Sequence, residues 1–179
     1  MLAHLVQTGF GGFYDGVAHW ALTPRDVMVT IALAFLGGLG GLAPARSAVV
    51  VLPVAWLLGG LVGFQFSGLG ELGLATAISV GVIGLLVAWG RPLPRGVVAF
   101  AALAGGLLHG VTNGSVMMAE GRERLTLFGV VAAVALVTLL AAAGVASLQK
   151  PAARVVVRVA GSWIAAIALL LLGWQFRPA

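Results

Sequence analysis

The chain is 179 residues long, with 61% apolar residues, 8% charged residues and a mean hydropathy of +1.12. Such values exclude a water-soluble globular domain and leave room for about six helices of roughly 20 residues, each long enough to cross a hydrocarbon core about 30 Å thick. The formal net charge of +5 reads as loop topology signals rather than a nucleic-acid footprint, and the lack of cysteine excludes disulfides, thiolate metal sites and thiol redox relays.

The first residues lack a charged stretch followed by an apolar one, so no cleavable signal peptide is expected. Residues 1–26 hold Gly9, Gly11, Gly12, Gly16 and Pro24 among the aromatics Phe10, Phe13, Tyr14 and Trp20. That stretch reads as too broken and too polar to span, and suits an interfacial or re-entrant segment. Thr23-Pro24-Arg25-Asp26 reads as a helix start, with Thr23 as N-cap, Pro24 in the first turn and Asp26 at the positive end of the dipole. Apolar spans are then predicted over Val27–Leu42, Ser47–Phe66, Leu72–Trp89, Val97–Met118, Leu125–Leu148 and Val155–Phe176.

The fold class expected is therefore an all-α membrane protein, a bundle of six transmembrane helices behind a re-entrant or interfacial N-terminal segment. It forms a single domain over residues 1–179, with a polar lid at 1–26 and the bundle at 27–176. Six spans put both termini on one side. Arg46, Arg91, Arg95, Lys150, Arg154 and Arg158 fall on the other side, and all five acids, Asp15, Asp26, Glu71, Glu120 and Glu123, fall on the terminal side. The basic excess predicts a bacterial inner-membrane protein with both termini outside the cytoplasm.

This orientation gathers the chemistry at the outer face. His109 and Asn113 stand four residues apart in the fourth span and share a helical face, while Gly106, Gly110 and Gly114 form a small-xxx-small stripe on a neighbouring face. Asp15 and His19 in the lid repeat the same spacing, and Glu71 stands at the outer mouth of the third span. An ionisable group inside a membrane helix marks function by default, whereas Asn113 also suits helix-to-helix hydrogen bonding and Glu71 suits a helix dipole. His4 is a further candidate, a lone polar residue near the terminus. Imidazole, carboxylate and amide donors fit divalent nickel or cobalt, with zinc and copper as alternatives. The missing thiols argue against copper(I), an exclusion that Met117 and Met118 weaken. Metal capture needs neutral imidazoles, so uptake is expected to fail in acid.

Gly-Phe-Tyr-Asp15-Gly-Val-Ala-His19, Glu71 ahead of a span with Ser79, Leu-Pro followed by Leu-His109-Gly-Val-Thr-Asn113-Gly, and Arg158-Val-Ala-Gly161 opening the last span resemble the HupE/UreJ family of small membrane proteins. The resemblance covers nearly the whole chain. It implies a six-helix permease for nickel or cobalt, tied to maturation of hydrogenase or urease. The chain departs from the family pattern in its first motif, in carrying Asn113 where a second histidine is usual, and in showing Thr138 near the place of a fifth-helix histidine. Fewer imidazoles imply a weaker or different site.

The function expected is permeation of a divalent metal ion captured by His19, His109, Asp15, Asn113, Glu71 and His4, with Ser79 and Thr138 among the few polar groups on the inner path. The alternative is a non-transporting metal-sensing or scaffold subunit, meeting a partner membrane protein or a second copy through its glycine-rich faces. No HExxH, GxSxG or nucleotide loop supports an enzyme.

Overall fold

The structure, a computed structural model, describes residues 8–66 and 72–176. Among the described residues it is all-helical, with α1 (Gly12–Leu22), α2 (Pro24–Leu39), α3 (Leu42–Gly63), α4 (Gly73–Trp89), α5 (Arg95–Ala119), α6 (Arg124–Ala146) and α7 (Pro151–Gln175). Helices α3, α5, α6 and α7 are each long and apolar enough to cross a membrane, and α1 with α2 meets the same test as a pair bent by 79°. Helix α4 has 17 residues, a length of about 26 Å at 1.5 Å per residue. The chain is a multi-pass integral membrane protein.

The N-terminal segment differs from its sequence reading. The glycines expected to break it do not: Gly11, at φ 98°, starts α1, and the glycines inside α1 pack it. A Cβ on Gly16 would stand 2.9 Å from the carbonyl carbon of Thr126, and one on Gly129 the same distance from that of Phe13. Helix α1 therefore lies backbone to backbone on the first turns of α6. Helix α2 alone, at 16 residues, reaches only about 24 Å, so its N-terminus begins below the end of α5 and α1 covers it.

Thr23 sits at the bend with extended backbone, as a residue preceding proline must. Its hydroxyl does not cap α2 as expected. It donates instead to His19 O at 2.7 Å and closes α1, while Thr23 O accepts from the amides of Asp26 and Val27.

Two glycine faces organise the rest. Gly106, Gly110 and Gly114 of α5 meet Gly59, Gly60 and Gly63 of α3; a Cβ on Gly106 would stand 2.8 Å from Leu52 O, and one on Gly59 2.5 Å from Leu107 O. Gly84 and Gly161 lock α4 to α7 in the same manner. Gly37 and Gly38 pack α2 against Ala45 and Ala48 of α3 and Val145 of α6. These glycine stripes are thus packed against the chain's own helices. Trp56 is fully buried, while Trp89, Trp163 and Trp174 are exposed on the apolar exterior.

Replacing Gly16 with leucine is expected to lift α1 from α6 and leave the bundle folded. Amides over Phe13–Trp20 should then exchange hydrogen at least about tenfold faster, with those of α3 and α5 unchanged.

Candidate functional site

Helix α5 carries the centre of the site because His109 and Asn113 occur one turn apart on a face that the glycine stripe leaves free. His109 is fully buried and Asn113 nearly so. The ring of Trp56 lies 5.4 Å from that of His109, tilted by 40°, and fixes one side of it.

The partner of both is Asp26, buried in the first turn of α2. Its Oδ1 lies 2.7 Å from His109 Nδ1, and its Oδ2 accepts from Asn113 Nδ2 at 2.9 Å. On the far side of the ring, His109 Nε2 lies 3.0 Å from Ser79 Oγ, and Ser79 donates to Thr76 O at 2.7 Å. Both imidazole nitrogens are therefore engaged. His109 thus bridges Asp26 and Ser79 and presents no open nitrogen.

Asn113 has a fixed orientation. Its Nδ2 donates to Asp26 Oδ2 and also to His109 O at 2.9 Å, so both amide hydrogens are used and the oxygen must face elsewhere. That oxygen, Asn113 Oδ1, is buried, turned toward the His19 side chain and outside hydrogen-bond geometry with any protein donor. It belongs to a residue lining a pocket of about 50 Å³, together with His19, Thr23, Arg25, Asp26, Thr76, Thr112 and Val116. At roughly 15 Å³ per water, the pocket holds about three waters, or an ion that keeps part of its hydration. A buried amide oxygen left open is costly unless a donor or a cation meets it.

Of the residues singled out in the sequence, the structure brings His19 and Asn113 to this pocket, with His109 behind it on Asp26 Oδ1. Asp15 is buried but turned to other work: it accepts from Thr8 N at 2.7 Å and Thr8 Oγ1 at 2.6 Å, and pairs with Arg122 at 3.5 Å. Those bonds tie the start of α1 to the loop after α5. His4 and Glu71 lie outside the described residues. Thr138 is buried on α6 and donates to Val134 O, so it does not stand in for a ligand here. Met117 is buried in the core and Met118 exposed, so they do not form a soft pair. Among the described residues no three His, Asp or Glu side chains converge as a preformed metal cage.

Asp26 was the residue missed. Read from sequence, it is a helix-dipole acid two residues after Pro24; its position at the start of an apolar span, where a carboxylate needs a partner, is the available signal.

A family model described as HupE / UreJ protein matches residues 1–171. The chain belongs to the HupE/UreJ family. No curated protein and no solved structure matches it. Within this HupE/UreJ chain, the polar residues of α1, α2, α4 and α5 thus close on one another in an otherwise apolar bundle. Arg25 joins them from α2, its Nη1 donating to Thr76 Oγ1 at 3.2 Å, which ties the rim of the pocket to α4.

Proposed function

We propose that this protein is a permease for a divalent transition-metal ion, nickel or cobalt, and that the pocket beneath α1 is its capture site. The observation that carries the reading is Asn113 Oδ1, a buried oxygen outside hydrogen-bond geometry with any protein donor, on a pocket that also holds a carboxylate and an imidazole. Asp26 Oδ2, Asn113 Oδ1 and a nitrogen of His19 are donors of the class that nickel and cobalt accept, with water completing the shell. A site with few protein ligands and retained water suits a cargo ion that must leave again.

In this reading the bent α1–α2 pair and α4 cross the membrane with the four longer helices, giving six crossings and both termini outside the cytoplasm. The basic residues of the Arg46, Arg91–Arg95 and Lys150–Arg158 regions then face inward. The capture pocket opens outward, and α1 is the lid that His19 carries over it. His109 supports the carboxylate from below, and Ser79 is the first polar group past it.

The test is metal accumulation in cells or vesicles at equal protein level. His19→Ala and Asn113→Leu are each expected to lower nickel or cobalt accumulation at least about tenfold, in line with the 10–100-fold effects seen when groups around a metal are removed. Accumulation equal to that of cells lacking the protein, in the wild type itself, sinks the transport reading. Undiminished accumulation in both variants moves the site elsewhere.

A further inference from the structure

The two glycine faces described above leave a gap. Helix α4 turns Gly81 and Gly84 to α7, and α5 turns Gly106, Gly110 and Gly114 to α3. The glycine stripes of the consecutive helices α4 and α5 therefore point to other helices, and the two stand apart along their outer faces. Between them runs a groove of about 540 Å³, open to the exterior, whose walls include Ile78, Ser79, Val82, Leu86, Phe100 and Ala104. From Ala75 to Leu86 it follows α4 for twelve residues, about 16 Å. Ser79 is the only polar side chain among the lining residues, and its hydroxyl is the one on His109 Nε2.

One end of this groove lies at the loop joining the two helices, and that end is basic. Arg91 is exposed, its guanidinium 5.2 Å over the ring of Trp89. Arg95 is exposed and donates to Ser47 Oγ at 2.8 Å; Arg158 is exposed and donates to Ala88 O at 3.2 Å. No acidic residue lies in the loop or in the turns on either side of it. The apolar trough and the cationic end together match an amphiphile with one anionic head.

We infer that the α4–α5 groove is a binding site for one anionic phospholipid, its phosphate on Arg91 and Arg95 and one acyl chain lying along α4 as far as Ser79. An acyl chain is thin enough, and basic pockets between membrane helices hold anionic headgroups by charge. Seated there, the chain forms the outer wall behind Ser79 and shields the His109 side of the pocket from the exterior. The inference does not depend on the metal reading.

The test is native mass spectrometry of the detergent-solubilised full chain, titrated with phosphatidylglycerol, with phosphatidylcholine of the same acyl chains, and with glycerol 3-phosphate. Phosphatidylglycerol is expected to be retained at least about tenfold better than phosphatidylcholine. Arg91→Gln with Arg95→Gln should erase that preference, at roughly fivefold per basic side chain and so about thirtyfold for the pair. Ala104→Trp, on the exposed wall, should weaken retention of both lipids by filling the trough. Equal retention of the two lipids by the wild type overturns the headgroup site, and glycerol 3-phosphate retained as well as phosphatidylglycerol overturns the lipid in favour of free phosphate. Undiminished retention in Ala104→Trp overturns the groove. As a check needing no variant, phosphatidylglycerol with a diazirine at its chain end should crosslink the wild type at Ala75–Ser79; labelling spread evenly over the exposed faces of α6 and α7 overturns the placement. Metal accumulation is read separately, so failure here leaves the permease reading standing.

Discussion

Replacing Asp26 with alanine is expected to abolish metal accumulation and to destabilise the protein by about 3–5 kcal/mol, the cost of breaking a buried pair by removing one partner. The carboxylate meets both His109, at 2.7 Å, and Asn113, at 2.9 Å. Without it a fully buried imidazole nitrogen and a buried amide hydrogen lose their partners in an apolar surround. Asp26→Asn separates charge from packing. Its oxygen can still accept from His109 Nδ1, but its amide then faces the Asn113 amide, donor against donor, and Asn113 cannot turn over because its Nδ2 also serves His109 O. Asp26→Asn should therefore cost less stability than Asp26→Ala while losing accumulation as fully, since the negative charge that attracts a cation is gone in both. Thermal unfolding in detergent and metal accumulation, measured side by side, decide the matter. Asp26→Asn accumulating metal like the wild type removes the carboxylate from the capture site.

Most of the helical architecture was legible because it rests on local signals. Apolar runs end at Arg46, at Arg91–Arg95, at Arg122–Arg124 and at Lys150–Pro151, and the observed helices start or stop within a few residues of the predicted spans. The stripe Gly106, Gly110 and Gly114 was readable as a close-packing face because three residues one turn apart need no knowledge of the partner helix. What sequence cannot carry is which residues meet across the fold. Asp26 and His109 are 83 positions apart, and a carboxylate in a first helical turn has a sufficient local explanation in the dipole. The reverse error occurred at α1. Gly12 and Gly16 favour a break when only propensity is weighed, yet they admit the backbone of α6, and that gain exists only once α6 is present. Thr23 shows the same competition on a smaller scale, its hydroxyl having two carbonyl-rich neighbours and taking the one on α1. Asp15 and His19, paired in sequence by spacing, are divided in the structure by their partners, one serving Thr8 and Arg122 and the other the pocket.

Replacing Gly114 with alanine is expected to disable the site without touching any polar atom in it. A Cβ there would run into Gly60 O and stand 2.9 Å from Gly60 C and 3.0 Å from Gly60 Cα. Backbone atoms cannot rotate aside as a side chain can, so α3 and α5 must separate. Such overpacking costs about 1–3 kcal/mol, and between membrane helices there is little hydrophobic drive to offset it, since close packing is what holds them. The separation is transmitted to the pocket by Trp56, which lies on α3 one turn from Gly60 and bears on His109. When α3 withdraws, His109 loses the ring that fixes it, and the bonds to Asp26 and Ser79 loosen with it. Gly144→Ala is the matched control, because a Cβ on Gly144 meets nothing within 4 Å. Alanine there should be neutral or stabilising by up to about 1 kcal/mol through helix propensity. Gly114→Ala should therefore lower both the unfolding temperature and metal accumulation while Gly144→Ala lowers neither. If the two variants unfold at the same temperature, backbone contact between α3 and α5 is not what positions His109.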